Sequence, residues 1–448
     1  MKRLSFALAM LPLALPAVLS PLACDVPPGA APDEAVAERE GAQTLCLGRP
    51  CTTAPIQVPI NPVPITLTLF PGPTDFVDIT AGSSHTCARR HDGNLYCWGR
   101  DDLGQAGISA TKTCASGSGC VDKPMLTMTG AAAVDAGLDH TCALDTAGHA
   151  SCWGSSSSGQ IGDGVYGSTT QPIAVSPPAG APGPLVFTTI SAGGNSTCGT
   201  TAGGIYCWGG IGGGLAAYAP SVVPISVGGW FTYLATKVSV GAEHACAYYP
   251  YAYANQYDVD CWGMNQNGQA GSDPHTYPFV VLDGGTQLGT QVSRAATQND
   301  FTCADQMNGT VQCFGDGYWG QLGNGTSGAT ASTYVPSIVG QTAGVAQALS
   351  RVVTGVVHAC ALDPSGAAWC WGNGYSGQLG NNSANPSSIP VAVAGGHTFR
   401  ALAAGWYHTC GVGNDNHLWC WGSNSDGQLG TQYPGGWVSS PVQAIDPS

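Results

Sequence analysis

Charge is what this chain has least of. Only 9% of its 448 residues are Asp, Glu, Lys or Arg, against roughly 25% in ordinary soluble proteins. Positive charge is scarcest: 13 Lys and Arg stand against 27 Asp and Glu, a formal charge of −14. Nucleic-acid binding needs a basic face that displaces counterions, so DNA and RNA are excluded from the expected partners. Long apolar runs are missing as well. After one stretch near the N-terminus, no second run is long enough to span a membrane. Catalytic signatures are equally thin. No Ser-His-Asp order, phosphate-binding glycine loop or helical metal-ligand pair stands out. No catalytic residue, no metal ligand and no cofactor is therefore assigned. A sialidase-like centre would need an arginine cluster, yet only eight arginines lie beyond residue 23. Three of them, Arg294, Arg351 and Arg400, fall in or beside equivalent strands of successive repeats and read as solvated strand positions.

What the chain does have is glycine, 65 residues, and cysteine, 19 residues. So much glycine points to a turn-rich, all-β protein. Near the N-terminus, Lys2 and Arg3 precede the apolar run "LSFALAMLPLALPAVLSPLA", which ends before Cys24. A short positive end, an apolar middle and a small residue before the cut make residues 1–23 a signal peptide. "SPLAC" reads as a lipoprotein-type site with Cys24 as lipid acceptor; plain secretion is the alternative. Residues 24–63 read as a Pro-rich, acidic tether with a small Cys46–Cys51 loop. The expected location is outside the cytosol, in the cell envelope or secreted. With Cys24 set aside, eighteen cysteines remain, an even number that suits a disulfide framework in an oxidising compartment.

Residues 64–448 form the third segment, and from about residue 76 the chain repeats itself. Each unit has an alternating apolar strand, Ala-Gly, His-x-Cys, a turn, Cys-Trp-Gly and then a Gly-Gln-Leu-Gly-like turn. The paired cysteines are Cys87–Cys97, Cys142–Cys152, Cys198–Cys207, Cys246–Cys261, Cys303–Cys313, Cys360–Cys370 and Cys410–Cys420. With Cys46–Cys51 and Cys114–Cys120, these account for all eighteen. In the first unit "HTCARRHDGNLYCWG", Asp92-Gly93 turns a hairpin. That sets Cys87 opposite Cys97, at about the 4.5 Å of a non-hydrogen-bonded pair. Each staple is expected to contribute about 2.5–3 kcal/mol. Zinc sites and redox pairs favour the closer Cys-x-x-Cys spacing. A period near 50 residues with four strands per unit predicts a seven-bladed β-propeller with four-stranded blades and intra-blade disulfides. The segment near residues 58–69 is one candidate for the strand that closes the ring; closure by the C-terminal strand alone is the other.

"GSSHTCARRHDGNLYCWGRDDLGQAG", "VVHACALDPSGAAWCWGNGYSGQLG" and "GWYHTCGVGNDNHLWCWGSNSDGQLG" resemble the repeats of the regulator of chromosome condensation family. Similar units in bacterial proteins are labelled BNR repeats. The resemblance covers about residues 76–448 and implies a seven-bladed propeller. The third unit departs most, with Ser196 in the histidine position and "GGIGGGLAAY" in place of the Gly-Gln turn.

The recurring residues read as scaffold. His85, His140, His244, His358 and His408 are expected to make hydrogen bonds within their own blades. The Trp-Gly tryptophans are expected to pack the blades. Asp101-Asp102 reads as a surface loop. Departures from the repeat carry more functional information. Tyr248, Tyr249, Tyr251, Tyr253 and Tyr257 crowd one lengthened hairpin, and tyrosine offers large contact area at low entropic cost. Trp406-Tyr407 and Tyr318-Trp319 with Tyr375 make a second candidate surface, on the opposite side of the ring. The resulting expectation is a monomeric, exported, lipid-anchored, non-enzymatic scaffold that presents loops to a protein or glycan. Two alternatives stand. One is a carbohydrate-active propeller, which needs carboxylates converging on the central channel. The other is guanine-nucleotide exchange, implied by the family name alone.

Overall fold

The computed structural model describes residues 72, 75–178, 180–210, 221–226, 235–250, 257–271, 292–340 and 348–447. All of them fall within one unit, Leu69–Ser448. Cys24, the Cys46–Cys51 loop and the 58–69 segment lie outside the described residues.

The seed of each blade is the stapled hairpin. In the first, His85–Arg90 pairs antiparallel with Leu95–Arg100. Gly93 takes the left-handed position at the turn, φ 84°, where a side chain would be strained. Cys87 faces Cys97 directly, Cα to Cα 4.1 Å. The same opposition recurs in all seven blades, and Cys114–Cys120 closes the loop after the first hairpin. Two further strands flank each hairpin. Phe76–Ala81 lies on the inner side and Gly119–Met128 on the outer side, giving four strands in simple order, with Lys112–Thr113 added at the rim. Five other blades repeat the four-stranded order; the fourth shows three strands among the described residues.

A lone four-stranded sheet leaves both faces wet, so the sheets stack face to face around a ring. The strand Phe76–Ala81 contacts both Ala131–Ala136 of the second blade and Phe399–Ala404 of the seventh. Each of the four-stranded blades is built from one consecutive stretch, so among the described residues no strand is exchanged between the first and last blades. Between blades sit the tryptophans: Trp98, Trp153, Trp208, Trp371 and Trp421 are fully buried. The glycine after each tryptophan is a geometric necessity. Gly99 has φ 104°, and a Cβ there would lie 2.5 Å from the Ser84 carbonyl oxygen.

The blades are held together by a clamp that recurs around the ring. In each Gly-Gln turn the glutamine side chain accepts a backbone N–H from two residues earlier, as Gln378 does from Ser376. That leaves its main-chain carbonyl free for the next blade. Gln378 O accepts from Trp421 Nε1 at 2.8 Å and from Thr409 Oγ1 at 2.9 Å. Thr409 Oγ1 also meets His358 Nε2 at 2.8 Å. A hydroxyl has one proton, and a carbonyl can only accept. The threonine therefore donates to the glutamine and accepts from histidine, which fixes each imidazole as the neutral Nε2–H tautomer. The pairs His85–Thr141, His140–Thr197, His244–Thr302 and His408–Thr86 repeat this geometry. The last of them joins the seventh blade to the first. The histidines thus bond across blade boundaries, not within their own blades as the repeat pattern suggested. A residue repeated once per blade can serve the interface that is also repeated once per blade.

Where the histidine is missing, so is its threonine. Ser196 faces a blade carrying Ala245, and Phe301 faces a blade carrying Ala359; all four are fully buried. A buried donor without an acceptor costs about 1–3 kcal/mol, while replacing both partners is close to neutral. Thr409→Ala should therefore cost about 1–3 kcal/mol of unfolding free energy. Adding His358→Phe, which copies the Phe301–Ala359 pair, should recover part of that loss in a denaturation double-mutant cycle.

The same histidines set a pH dependence. Burial drives the pKa of His358, and of the other four, from 6.5 down to about 3. The unfolded chain binds these protons below about 6.5 and the folded chain does not until about 3. The contribution is whole above pH 6.5 and is lost as pH falls toward 3. Asp101 acts in the opposite sense: burial raises its pKa to about 7, so folding favours its protonated form as pH falls. Near pH 5, His358→Phe with Thr409→Ala should reduce the slope of unfolding free energy against pH by one proton, about 1.4 kcal/mol per pH unit.

Candidate functional site

Strands in a blade alternate in direction, so the ring has two loop faces. The first–second turns and third–fourth loops share one face; the stapled hairpin turns lie on the other. Most aromatic rings of this chain are buried, so the exceptions are informative. Among the described residues the exposed Tyr and Trp side chains are Tyr166, Tyr318, Tyr334, Tyr375, Trp406, Tyr407, Tyr433 and Trp437. Every one lies in a first–second turn, in a third–fourth loop or at the start of a fourth strand. All eight therefore stand on one face, and all but Tyr166 belong to the last three blades.

Two ring clusters organise this surface. Trp406 stacks on Tyr407, ring centres 5.6 Å apart and planes 17° apart, and each is 40% exposed. Trp319 meets Tyr318 at 4.9 Å and Tyr375 at 5.7 Å, both edge to face. Tyr318 and Tyr375 hold the same place in two neighbouring loops, "GDGYWGQLG" and "GNGYSGQLG", and Trp319 spans the boundary between their blades. The expected grouping is thus resolved into two clusters, and no ring contact between them is present among the described residues. The loops beneath are rigid. Asp316 accepts from Tyr318 N, Ser332 Oγ and Gln321 Nε2, while Asn373 accepts from Tyr375 N and Gln378 Nε2.

The tyrosine-rich hairpin on the other face is different from its expected form. Tyr248 and Tyr249 lie within the strand His244–Pro250, and Tyr257 opens the strand Tyr257–Gly263. Tyr249 pairs with Asp258, so the staple's ladder runs on past Cys246–Cys261. Tyr248 is 7% exposed, with Lys237 Nζ 5.9 Å above its ring, and burial pushes its hydroxyl up to about 12. It packs the blade and is not a presented contact. Tyr251 and Tyr253 lie outside the described residues.

The central channel, about 150 Å³, is lined by small and hydroxyl side chains with Asp135 and Arg294. Asp135 accepts from Thr80 Oγ1, Ala136 N and Ala192 N, tying three blades together. A carboxylate so committed is a structural group. Arg400 is also structural: it donates to the Phe76 and Gly413 carbonyls, linking the seventh blade to the first, and Arg351 donates to the Arg400 carbonyl. Arg351 is exposed, as expected, and Arg400 is half-buried; both sit at the bulge of their first strands, and both are tied to main-chain carbonyls. Arg351 sits at a bulge with φ 55°. Asp101 caps Ala106 N, and Asp102 is held by both nitrogens of Arg100. Among the described residues no group of three His, Cys, Asp or Glu side chains could hold a metal ion.

A sequence model described as "Regulator of chromosome condensation (RCC1) repeat" matches residues 76–105, 131–160, 350–378 and 399–428, and a second of the same description matches 365–412. These stretches are RCC1 repeats. They fall in the first, second, sixth and seventh blades; the three between them fold as blades although their motifs diverge. Among curated proteins, the chain is 26% identical to the human E3 ubiquitin-protein ligase HERC2 over 326 residues, which is 71% of this chain and 6% of HERC2. It is 26% identical to the ultraviolet-B receptor UVR8 of Arabidopsis thaliana over 262 residues, 57% of this chain and 56% of the receptor. The chain thus spans only part of either relative's length. Human WBSCR16 superposes with a TM-score of 0.65 at 18% identity, over 79% of this chain and 94% of that one. Yeast RCC1 (Prp20), in its complex with Kap60, superposes with 0.65 at 17%, over 82% and 85%. At such identities the likeness is one of fold. In these four blades the clamp residues and the paired cysteines fall inside the matched stretches; the exposed rings of the last three blades are additions to the clamp and the staples, since they take part in neither.

If the rings are additions, removing them leaves the frame intact. Trp406→Ser with Tyr407→Ser should change stability by no more than about 0.5 kcal/mol. Trp421→Ala, which empties a buried blade boundary, should cost about 3–5 kcal/mol in the same denaturation experiment.

Proposed function

We propose that this chain is a non-enzymatic binding scaffold, and that the loop face of its last three blades docks a protein. One observation carries the proposal. Every exposed Tyr and Trp among the described residues but Tyr166 stands there, and the Tyr318 and Tyr375 loops are held by their own hydrogen bonds. Large aromatic rings that need little further ordering are what interface hot spots are made of. The yeast RCC1 (Prp20) structure is described as bound to Kap60, and another study of Prp20p describes binding to Gsp1p and histones. Protein binding by a related propeller is consistent with the reading. For nucleotide exchange, no residue of this chain can be assigned to such a step. For carbohydrate cleavage, the channel's Asp135 is already bonded on both oxygens.

Export is part of this reading: eight described cysteine pairs at bonding distance suit an oxidising compartment. Within this reading Cys24 takes lipid, and the propeller acts as a monomer held at a bacterial cell envelope. Radiolabelled palmitate should enter the wild-type chain and not Cys24→Ser; equal labelling would remove the anchor and leave the binding face untouched.

The binding reading is tested on a purified partner, identified by cross-linking to the wild-type chain. Trp406→Ser with Tyr407→Ser, or Trp319→Ala with Tyr375→Ser, should weaken its affinity about tenfold or more. Serine at Tyr251 and Tyr253, in the opposite hairpin, should leave it unchanged. The reverse pattern would move the site to the other face.

A further inference from the structure

The corner formed by Tyr318, Trp319 and Tyr375 has a second property: it is edged by carboxylates alone. Asp316 lies in the same loop and accepts the Tyr318 N–H at 3.0 Å. Asp300, in the neighbouring turn, is joined to it through Asp316 N to Asp300 O at 2.8 Å. Glu243, in the turn of the preceding blade, is exposed and near enough to Asp300 for their charges to repel. Among the described residues none of the three makes an ion pair. The positive side chains on this face that are described, Arg100, Lys112 and Lys123, are all on the first blade. Arg100 and Lys112 are already paired there with Asp102 and Asp122.

We infer that this corner receives a cationic side chain, arginine or lysine, from a basic segment of the partner protein. The inference rests on the proposed loop-face function and names the chemistry of what docks there. Aromatic rings and carboxylates that are hydrogen-bonded but carry no counter-charge ask for the same ligand. A guanidinium lies flat on a Trp or Tyr ring, attracted by the ring's negative face, and is more weakly hydrated than an ammonium. The carboxylates steer it in and compensate its charge once water is displaced. An acidic or neutral apolar segment would leave the three carboxylates facing a low-dielectric surface with no counter-charge. Asp300 and Asp316 lie on the fifth blade with Trp319, and Glu243 lies on the fourth, so the charges flank the ring cluster on one side.

The test uses the full, disulfide-bonded chain and a short arginine–glycine peptide, with a twin in which citrulline replaces every arginine. Citrulline keeps the shape and removes the charge. The arginine peptide should bind and the citrulline twin should bind at least about tenfold more weakly. Tyr375→Ser, at a residue 59% exposed and so without cost to folding, should weaken the arginine peptide about three- to tenfold. Trp319→Ala and Asp316→Asn should each do the same, with thermal unfolding as the check that they remain folded. No binding of the arginine peptide, or equal binding of the twins, would overturn the inference. So would arginine-peptide binding that Tyr375→Ser and Trp319→Ala leave unchanged, since that is attraction to an acidic chain at large. If the peptides fail while the purified partner still loses affinity on Trp319→Ala with Tyr375→Ser, only the cation falls. If the partner is also indifferent to both loop-face pairs, the loop-face reading falls with it.

Discussion

The ring is held together by main-chain carbonyls. At four blade junctions the oxygen of the Gly-Gln turn collects two donors from the next blade, a tryptophan Nε1 and a threonine Oγ1, as Gln105 O does from Trp153 and Thr141. At two others one donor is replaced: Gln269 O keeps the threonine and Gln321 O the tryptophan. The turn presents that oxygen because the glutamine side chain closes the turn on itself. The threonine then passes the link back to the histidine of the blade it came from. The disulfides cannot do this work: every one of them staples strands within a single blade. They make each hairpin rigid, but a ring of rigid sheets still needs joints. The joint between the seventh and first blades is the same clamp, Thr86 with His408 and Gln428, reinforced by Arg400 reaching the Phe76 carbonyl. These bonds join the two ends of the propeller directly.

Much of this frame was legible in the sequence. Cysteines ten apart around Asp-Gly or Ser-Gly can only be opposed in a tight hairpin, and a period near 50 residues with four strand signals leaves few architectures. What the repeat pattern hides is direction. A histidine recurring before each first cysteine says that the blade uses it, and not which blade supplies its partner. A signal was present. His-Thr-Cys or His-Ala-Cys follows the state of the preceding unit: Ala245 comes after the unit with Ser196, and Ala359 after the unit with Phe301. Buried donors and acceptors must be kept or lost together, so paired loss within one chain marks contact.

The candidate site was read less evenly. Five tyrosines in one hairpin look like a binding loop, because composition does not show where a strand ends. The ladder continues through Tyr249, and alternation then turns Tyr248 into the blade. Trp406, Tyr407 and Trp319 were found because they break the repeat at loop positions, where no packing role required them. Their separation into two clusters depends on the angle between blades, which spacing along a chain does not encode. The carbonyls that Arg351 and Arg400 reach on neighbouring blades were hidden for the same reason, since only blade packing brings them close.

The loop face thus carries two things at once. Its Gly-Gln turns help hold the ring, with the arginine links and the channel's hydrogen bonds; in the last three blades it also carries exposed rings that the clamp does not use. The most direct measurement is hydrogen exchange on the chain with its purified partner bound. Protection should appear in the third–fourth loops and first–second turns, at residues 316–324, 373–378, 405–407 and 424–436. Protection confined to the hairpin turns at 91–94, 363–366 and 414–417 would contradict the account.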